Sequence, residues 1–385
     1  MSRLAALISQ LCSDGVEFRP LKEVARIRNG KDYKGFGEGS IPVYGTGGIM
    51  TMINTAAYEK PSVLLPRKGS LSKLYYVDEP FWTVDTIFYT EINEDLISPK
   101  FFYYFLATQH LEELNQAGGV PSLTQTVLNE IRIPTPPLEI QREIVKVLDT
   151  FTELEAELEA ELEARRRQYK YYRDALLSFD ERMSDASKQA SIRWTTLGEI
   201  ASIYDGTHQT PRYTESGVKF VSVENINALY QTEKYITEED FDRNYKNKPR
   251  TNDVFMTRIG SIGVCAVIQN DEPLAYYVTL TLIRPNSEVI NSKYLKFVIE
   301  SGIGASELRK RTLVNATPIK INLGEIGKIK IPVPPLVEQE RIVTILDKFD
   351  ALVNDLSSGL PAEITARRQQ YEHYRNRLLT FKEAA

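Results

Sequence analysis

Residues 131–151 read IRIPTPPLEIQREIVKVLDTF, and residues 329–349 read IKIPVPPLVEQERIVTILDKF. The offset is 198 positions (329 − 131). Further on, RRRQYKYYRDALLSF at 165–179 is matched by RRQQYEHYRNRLLTF at 367–381, now at an offset of 202 (367 − 165). The chain is a tandem duplication, and its second helical segment is four residues longer. A repeat on this scale sets the architecture before any single motif does.

Each copy passes through a Pro-x-Pro-Pro joint into a helical pattern. Proline fixes φ, and Pro137 and Pro335 suit a first helical turn. Apolar residues then recur at Ile144, Leu148, Phe151, Leu154, Leu158, Leu162, Tyr169, Tyr172, Leu176 and Phe179, in steps typical of a coiled coil. Within this run, residues 153–164 read ELEAELEAELEA, built of strong helix formers. One helix over 138–179 would span roughly 60 Å at about 1.5 Å per residue. A helix that long separates things. Tyr169, Tyr172, Tyr371 and Tyr374 are expected to form helix-pair core with Leu148, Phe151, Leu154, Leu158, Leu162, Leu346 and Phe349. Arg166, Arg173, Arg368 and Arg375 are candidates for ion pairs with a facing helix. In the second copy, Ser357-Ser358-Gly359-Leu360-Pro361 predicts a kink or break.

A chain of 385 residues has room for two or three domains. It has no apolar run near 18 residues, which argues against a membrane span. The start, MSRLAALISQLCSDG, reads as a short amphipathic helix stopped at Asp14-Gly15, without signal-peptide architecture. Cys12 and Cys265 form no CxxC pair, which suits a reducing cytoplasm. Three scattered histidines make a zinc site an unattractive reading. The net charge of −5 argues only weakly against a nucleic-acid partner. Glu153, Glu155, Glu157, Glu159, Glu161 and Glu163 all fall on the connecting helix, away from any binding face.

Outside the helices the repeat continues. EFRPLKEVARIRNG from Glu17 matches RWTTLGEIASIYDG from Arg193, each reading as a helical turn, a strand and a Gly turn. Ser62–Pro66 and Asp85–Tyr89 read as strands and Pro99–Leu114 as a helix. Phe255–Ser261 corresponds to Leu64–Ser70, and Ser292–Ile299 to Pro99–Leu106. Between these landmarks the copies diverge: YKGFGEGSIPVYGTGGIM at 33–50 faces THQTPRYTESGVKFVSVENI at 207–226. One frame with unlike loops suggests one fold holding two ligand specificities. The expected class is α+β: two similar mixed α/β domains separated by two long helices that pair as an antiparallel coiled coil, a pseudo-twofold repeat. The expected divisions are 1–133, 134–183 (joint and central helix), 184–331, and 332–385 (joint and C-terminal helix).

This order of parts resembles the specificity subunit of a Type I restriction–modification system. That family alternates two target-recognition domains with two helical regions, each introduced by a P-x-P-P-L-x-x-Q signature. Here the signature stands at Pro134–Gln141 and Pro332–Gln339. The resemblance covers essentially the whole chain and implies a protein without catalysis of its own. Each recognition domain would read half of a split, asymmetric site in double-stranded DNA. The helices would set the spacing and dock two methyltransferase (modification) subunits, joined in the full complex by two motor–endonuclease (restriction) subunits. S-adenosylmethionine, ATP and Mg²⁺ would belong to those partners, with no cofactor or metal on this chain.

Against that background, Tyr44, Thr46, Gly47 and Gly48 form a Gly-rich stretch that fails as a phosphate loop, because no Gly-Lys-Ser/Thr follows. As a DNA-contacting loop it lets backbone N–H groups approach closely. Lys31, Tyr33 and Lys34 add two cations and an aromatic ring. In the second copy, His208, Gln209, Thr210, Arg212 and Tyr213 lie in a turn resembling the family's Gly-x-x-x-Thr-Pro element. Gln209 suits adenine, and Arg212 suits guanine or phosphate. Arg67, with Lys68, and Arg258 occupy matching places before a Gly-Ser turn and read as phosphate clamps; the alternative is an ion-paired arginine. Arg309, Lys310 and Arg311 form a basic cluster with the same reading. Two other classes stay open at this point. A self-contained methyltransferase or nuclease would need an Asn/Asp-Pro-Pro-Tyr/Phe motif or a convincing carboxylate–lysine cluster, and neither is found. A coiled-coil adaptor between protein-binding domains would bind no DNA.

Overall fold

The computed structural model describes residues 2–115, 119–179, 192–354 and 358–384. The expected boundary at 183/184 lies outside them. The chain forms two compact units, Met1–Glu159 with Glu363–Ala385, and Ala160–Ala362. Each unit therefore contains one non-helical region and a part of both helical regions, a grouping that the linear division did not express.

In the first unit, α1 (Ser2–Leu11) is followed by β1 (Phe18–Pro20), α2 (Leu21–Val24), β2 (Ala25–Asn29), β3 (Ile41–Gly45) and β4 (Gly48–Ile53). Then come β5 (Ser62–Pro66), β6 (Tyr75–Val77), β7 (Trp82–Thr83), β8 (Ile87–Ile92), α3 (Pro99–Leu106), α4 (Gln125–Asn129), β9 (Arg132–Pro134) and α5 (Leu138–Leu177). The strands build a four-stranded sheet, β2-β8-β5-β6, and a three-stranded sheet, β4-β3-β7. The helix expected over Pro99–Leu114 ends at Leu106. His110 adopts a left-handed φ of 44°, and a separate 3-10 turn holds Leu111–Leu114. Phe101, Phe102, Phe105 and Leu106 of α3 are buried in the same core as Leu4, Val63, Leu65, Phe88 and Ile144. Full burial of each such side chain stabilises by about 1.5–3 kcal/mol.

The second unit repeats the plan with β10 (Arg193–Thr196), α6 (Leu197–Ile200), β11 (Ala201–Asp205), β12 (Val218–Val221), β13 (Tyr235–Ile236) and α7 (Glu238–Asn244). It continues with β14 (Val254–Thr257), β15 (Cys265–Val267), β16 (Leu274–Tyr276), β17 (Leu280–Pro285), α8 (Ser292–Glu300) and α9 (Gly302–Arg311). Last come β18 (Thr312–Leu313), β19 (Lys320–Ile321), α10 (Leu323–Ile326), β20 (Lys330–Val333) and α11 (Leu336–Asn354). Its sheets, β11-β17-β14-β15 and β13-β12-β16, follow the same order. β3 pairs parallel with β7 as β12 does with β16. Helix α12 (Leu360–Leu379) begins after a turn at Ser358-Gly359, where a break was expected.

The Pro-rich joints are the closing strands of their domains. β9 pairs with β1, and β20 with β10, so each joint is tied to the strand that opens its domain. At each joint a glutamine, with no exposed surface, completes the tie. Gln141 accepts from the Ser98 N–H at 2.7 Å and donates to the Leu96 and Pro136 carbonyls. Gln339 accepts from the Asn291 N–H at 2.8 Å and donates to Val289 and Pro334. Two turns further along each long helix, Asp149 meets Lys100 and Tyr104 of α3, both at 2.7 Å, and Asp347 pairs with Lys293 of α8 at 2.6 Å. The non-helical region is thus fastened to the start of its helix at two points in each unit.

The helix seam differs from its expected form. In the first unit α5 and the segment after Glu363 run antiparallel. Arg368 pairs with Glu155 and Glu159, while Tyr374 stacks on Phe151 at 5.4 Å, with Tyr371 beside it. Leu148 is fully buried there. In the second unit Tyr172 stacks on Phe349 at 5.7 Å, and Tyr169 and Leu346 are buried. The expected leucine row does not make a continuous core. Leu154 is 41% exposed and Leu158 half-buried, and only Leu162 packs against a core cluster. The cause is the four-residue repeat: each step rotates about 40° beyond a full turn, so the row leaves the seam. Of the arginines expected to cross to a facing helix, Arg368 does so. Arg173 pairs with Asp174 on its own helix.

Candidate nucleic-acid interface

Strand register brings the candidate residues to one end of each four-stranded sheet. β2 ends with Asn29 opposite Phe88, and β5 ends with Pro66 opposite Ile87. The loops after β2 and β5 and the loop before β8 therefore share an edge. In the second unit Asp205 lies opposite Thr281 and Thr257 opposite Leu280, which gathers the corresponding loops. The first glycine of each loop packs against backbone: a Cβ on Gly30 would sit 2.0 Å from the Val84 oxygen, and one on Gly206 would sit 2.5 Å from Tyr277. Only glycine permits that approach.

A further segment joins this edge in both units, and sequence reasoning missed it. Gly69 N–H donates to Pro121 O, and Leu123 N–H donates to Arg67 O. In the second unit Gly260 N–H donates to Ile319 O, and Ile321 N–H to Arg258 O. The same pair of hydrogen bonds straps residues 119–123 or 312–321 against the Gly-Ser turn. The weak signal for it in the sequence is a proline followed within three residues by a buried aliphatic, Pro121 with Leu123 and Pro318 with Ile321, which the divergence of the copies hides.

On this frame the side chains differ. In the first unit Lys31, Lys34 and Gly47 are exposed, and Tyr33 packs on the Val43–Trp82 cluster. Tyr44 is half-buried against Phe81 and Tyr75, and burial raises its pKa. Thr46 is inward-facing: its hydroxyl donates to Lys68 O at 2.8 Å, while Tyr75 donates to Thr46 O at 3.0 Å. This fixes the hairpin tip with Gly48 at a φ of +113°. Lys68 is exposed, 3.7 Å from Asp85. In the second unit His208, Gln209, Thr210, Arg212 and Tyr213 are exposed. His208 lies 2.9 Å from Asp205, and Tyr213 packs edge-on against Phe220.

The two matched arginines do not have matched environments. Arg67 lies over the Phe88 ring and donates to Asp85 O at 3.1 Å, at the surface edge. Arg258 is only 6% exposed. Its guanidinium donates to Val278 O, Ile321 O and the Asp205 carboxylate at 3.0–3.1 Å. The cause is local: Asp205 stands where the first copy has neutral Asn29, and it draws the second guanidinium inward. Arg258 ties the strap, the loop before β17 and the end of β11 together. It is the ion-paired alternative.

The basic cluster is also only partly free. Glu307, 7% exposed, pairs with Lys310 at 2.7 Å and Arg311 at 2.9 Å and accepts from Lys330 N–H. Burial opposes ionisation, but these three donors outweigh it and hold the Glu307 carboxyl below its ordinary range. Arg309 is exposed. Among the described residues no group of His, Cys, Asp and Glu is placed to hold a metal ion, and no helix is long and apolar enough to cross a membrane.

Comparison with known proteins agrees with this duplicated frame. The Type I restriction modification DNA specificity domain matches residues 13–164 and again 193–366. A putative type I restriction enzyme specificity subunit of Haemophilus influenzae is 30% identical over 388 residues, covering 95% of this chain and 96% of that protein. The EcoR124I/EcoR124II specificity subunit of Escherichia coli is 32% identical over 307 residues, covering 76% and 73% respectively. The solved S subunit from M. genitalium superposes with a TM-score of 0.61 at 17% identity, over 95% of this chain and 96% of that one.

Proposed function

This chain belongs to the Type I restriction–modification specificity family, and from that premise we propose that its two sheet edges each read one half of a bipartite, asymmetric DNA site. The observation that carries the reading is the strap–turn hydrogen-bond pair found in both units under unlike side chains. A shared scaffold positions two readers, while Lys31, Lys34, Lys68 and the hairpin tip on one, and Gln209, Arg212, Tyr213 and Arg309 on the other, contact different sequences. Phosphate contacts orient each unit, and base-edge contacts supply discrimination. Arg258 acts through the strap as a positioning residue.

The helices serve as spacer and scaffold for two methyltransferase subunits, with two motor–endonuclease subunits in the full assembly. Catalysis, S-adenosylmethionine, ATP and Mg²⁺ reside on those cytoplasmic partners. No catalytic family is indicated for this chain, and neither the methyltransferase or nuclease alternative nor the adaptor is favoured. The test is reconstitution with a separately encoded methyltransferase of the source genome. Native mass measurement is expected to give two methyltransferases per chain and salt-sensitive DNA binding. A stable assembly with one methyltransferase contradicts the pseudo-twofold reading, and no DNA binding at low salt contradicts recognition.

A further inference from the structure

The strap of the second unit presents aliphatic side chains to solvent although its backbone is firmly held. Leu313 is 45% exposed, Val314 64% and Ile319 38%. β18 pairs with β19, Ile321 is fully buried, and the Ile319 and Ile321 carbonyls accept from Gly260 and Arg258. An anchored ribbon showing apolar groups at the edge where the recognition loops meet is not explained by packing within its own unit. The strap of the first unit also shows an aliphatic group, Val120 beside Pro121, 72% exposed.

The surroundings indicate what meets these groups. From Arg309 to Asn322 the chain carries four cations and no acid; Lys310 and Arg311 are engaged by Glu307, which leaves Arg309 and Lys320 exposed beside the ribbon. Three aliphatic side chains are far too few for the core of a stable protein interface, which buries about 1,600 Å² in total. A polyanion with small apolar features in its groove fits both observations. In the major groove of DNA that feature is the thymine 5-methyl group.

We propose that the 312–321 strap is a third reading element of its unit, and that Leu313 and Val314 contact thymine methyl groups in the half-site while Arg309 and Lys320 hold phosphates. Val120 takes the same role, with one side chain, in the first unit. The inference rests on the DNA-reading function above, and its test separates the two. Once the half-sites are mapped, each thymine is replaced singly by deoxyuridine, and binding by the reconstituted complex is measured. Loss of one buried methyl is expected to weaken binding about fourfold. At least one thymine of the half-site read by the second unit responds in this way. Leu313→Ser and Val314→Ser weaken binding to thymine DNA similarly and remove the response to deoxyuridine, with thermal unfolding unchanged. The deoxyuridine arm uses unaltered protein, so it stands even if a variant folds poorly. A half-site without thymine on either strand, a wild type indifferent to every substitution, or variants that keep the full response overturns the proposal. So do variants that keep DNA discrimination but lose the methyltransferase, which would make the patch a protein-docking surface. If the wild-type complex binds no DNA, the functional reading itself fails.

Discussion

Replacing Gln339 by alanine removes one buried side chain and three hydrogen bonds, to Asn291 N–H, Val289 O and Pro334 O. A buried polar group left without a partner costs about 1–3 kcal/mol. Water can partly reach the Asn291 and Val289 groups, so the lower end applies, giving about 3 kcal/mol for the three. In a unit of some 200 residues a loss of that size lowers the unfolding midpoint by about 6–12 °C. Gln141→Ala removes the matching set in the first unit and is expected to cost the same. Gln339→Glu keeps an acceptor for Asn291 but turns a carboxylate oxygen towards two carbonyls, so it is expected to rescue nothing. Thermal scanning of the full chain supplies the midpoints, and hydrogen exchange locates the loosening at Ser292 and the β20–α11 joint. A loss below about 1 kcal/mol in both alanine variants, or full rescue by glutamate, refutes the view that these glutamines fasten the recognition regions to their helices.

Arg258→Ala should destabilise the second unit by about 3–5 kcal/mol, as removal of one partner of a buried ion pair does, read by denaturant unfolding. Arg67→Ala should leave stability nearly unchanged and lower the magnitude of the log–log salt slope of DNA binding by about 0.9; equal behaviour of the two variants contradicts their different environments. Inserting one ELEA unit after Ala164 advances the helix by about 6 Å and rotates it about 40°. At about 3.4 Å per base pair the non-specific spacer should then lengthen by one or at most two base pairs with both half-sites intact. Methylation mapping that finds the old spacer at full activity rules out the helix as ruler, and a two-residue insertion, rotating about 200°, should abolish assembly.

Much of the fold was legible because duplication doubled every weak signal. The joints, α3 and α8 and the Gly turns all lie in matched segments, where two imperfect patterns support one another; the break before Leu360 is legible from Gly359 and Pro361 alone, in the stretch where the copies differ in length. The misses have physical causes. The 99–114 helix was read past Leu106 because the apolar pattern continues through Leu111, while the left-handed His110 that ends it leaves no mark in composition. The spacing of the leucine row suggests a seam, but a strict period of four drifts off a helix face. At the candidate site, the matched arginines were read as equivalent because the deciding residue, Asp205 against Asn29, is distant in sequence and only the β11–β17–β14 pairing brings it to Arg258. The strap leaves little mark in the sequence because its role is carried by backbone hydrogen bonds, which nearly any sequence can make.

The central claim is that each unit reads its own half of the DNA site, and exchange of residues 192–331 for the matching segment of a relative with known specificity tests it most directly. Methylated sites of the source genome are mapped with the parent chain and with the exchanged one. The account predicts that one half-site changes to that of the donor while the other half-site and the spacer stay as they were. A change in both halves together, or in neither with activity retained, contradicts it.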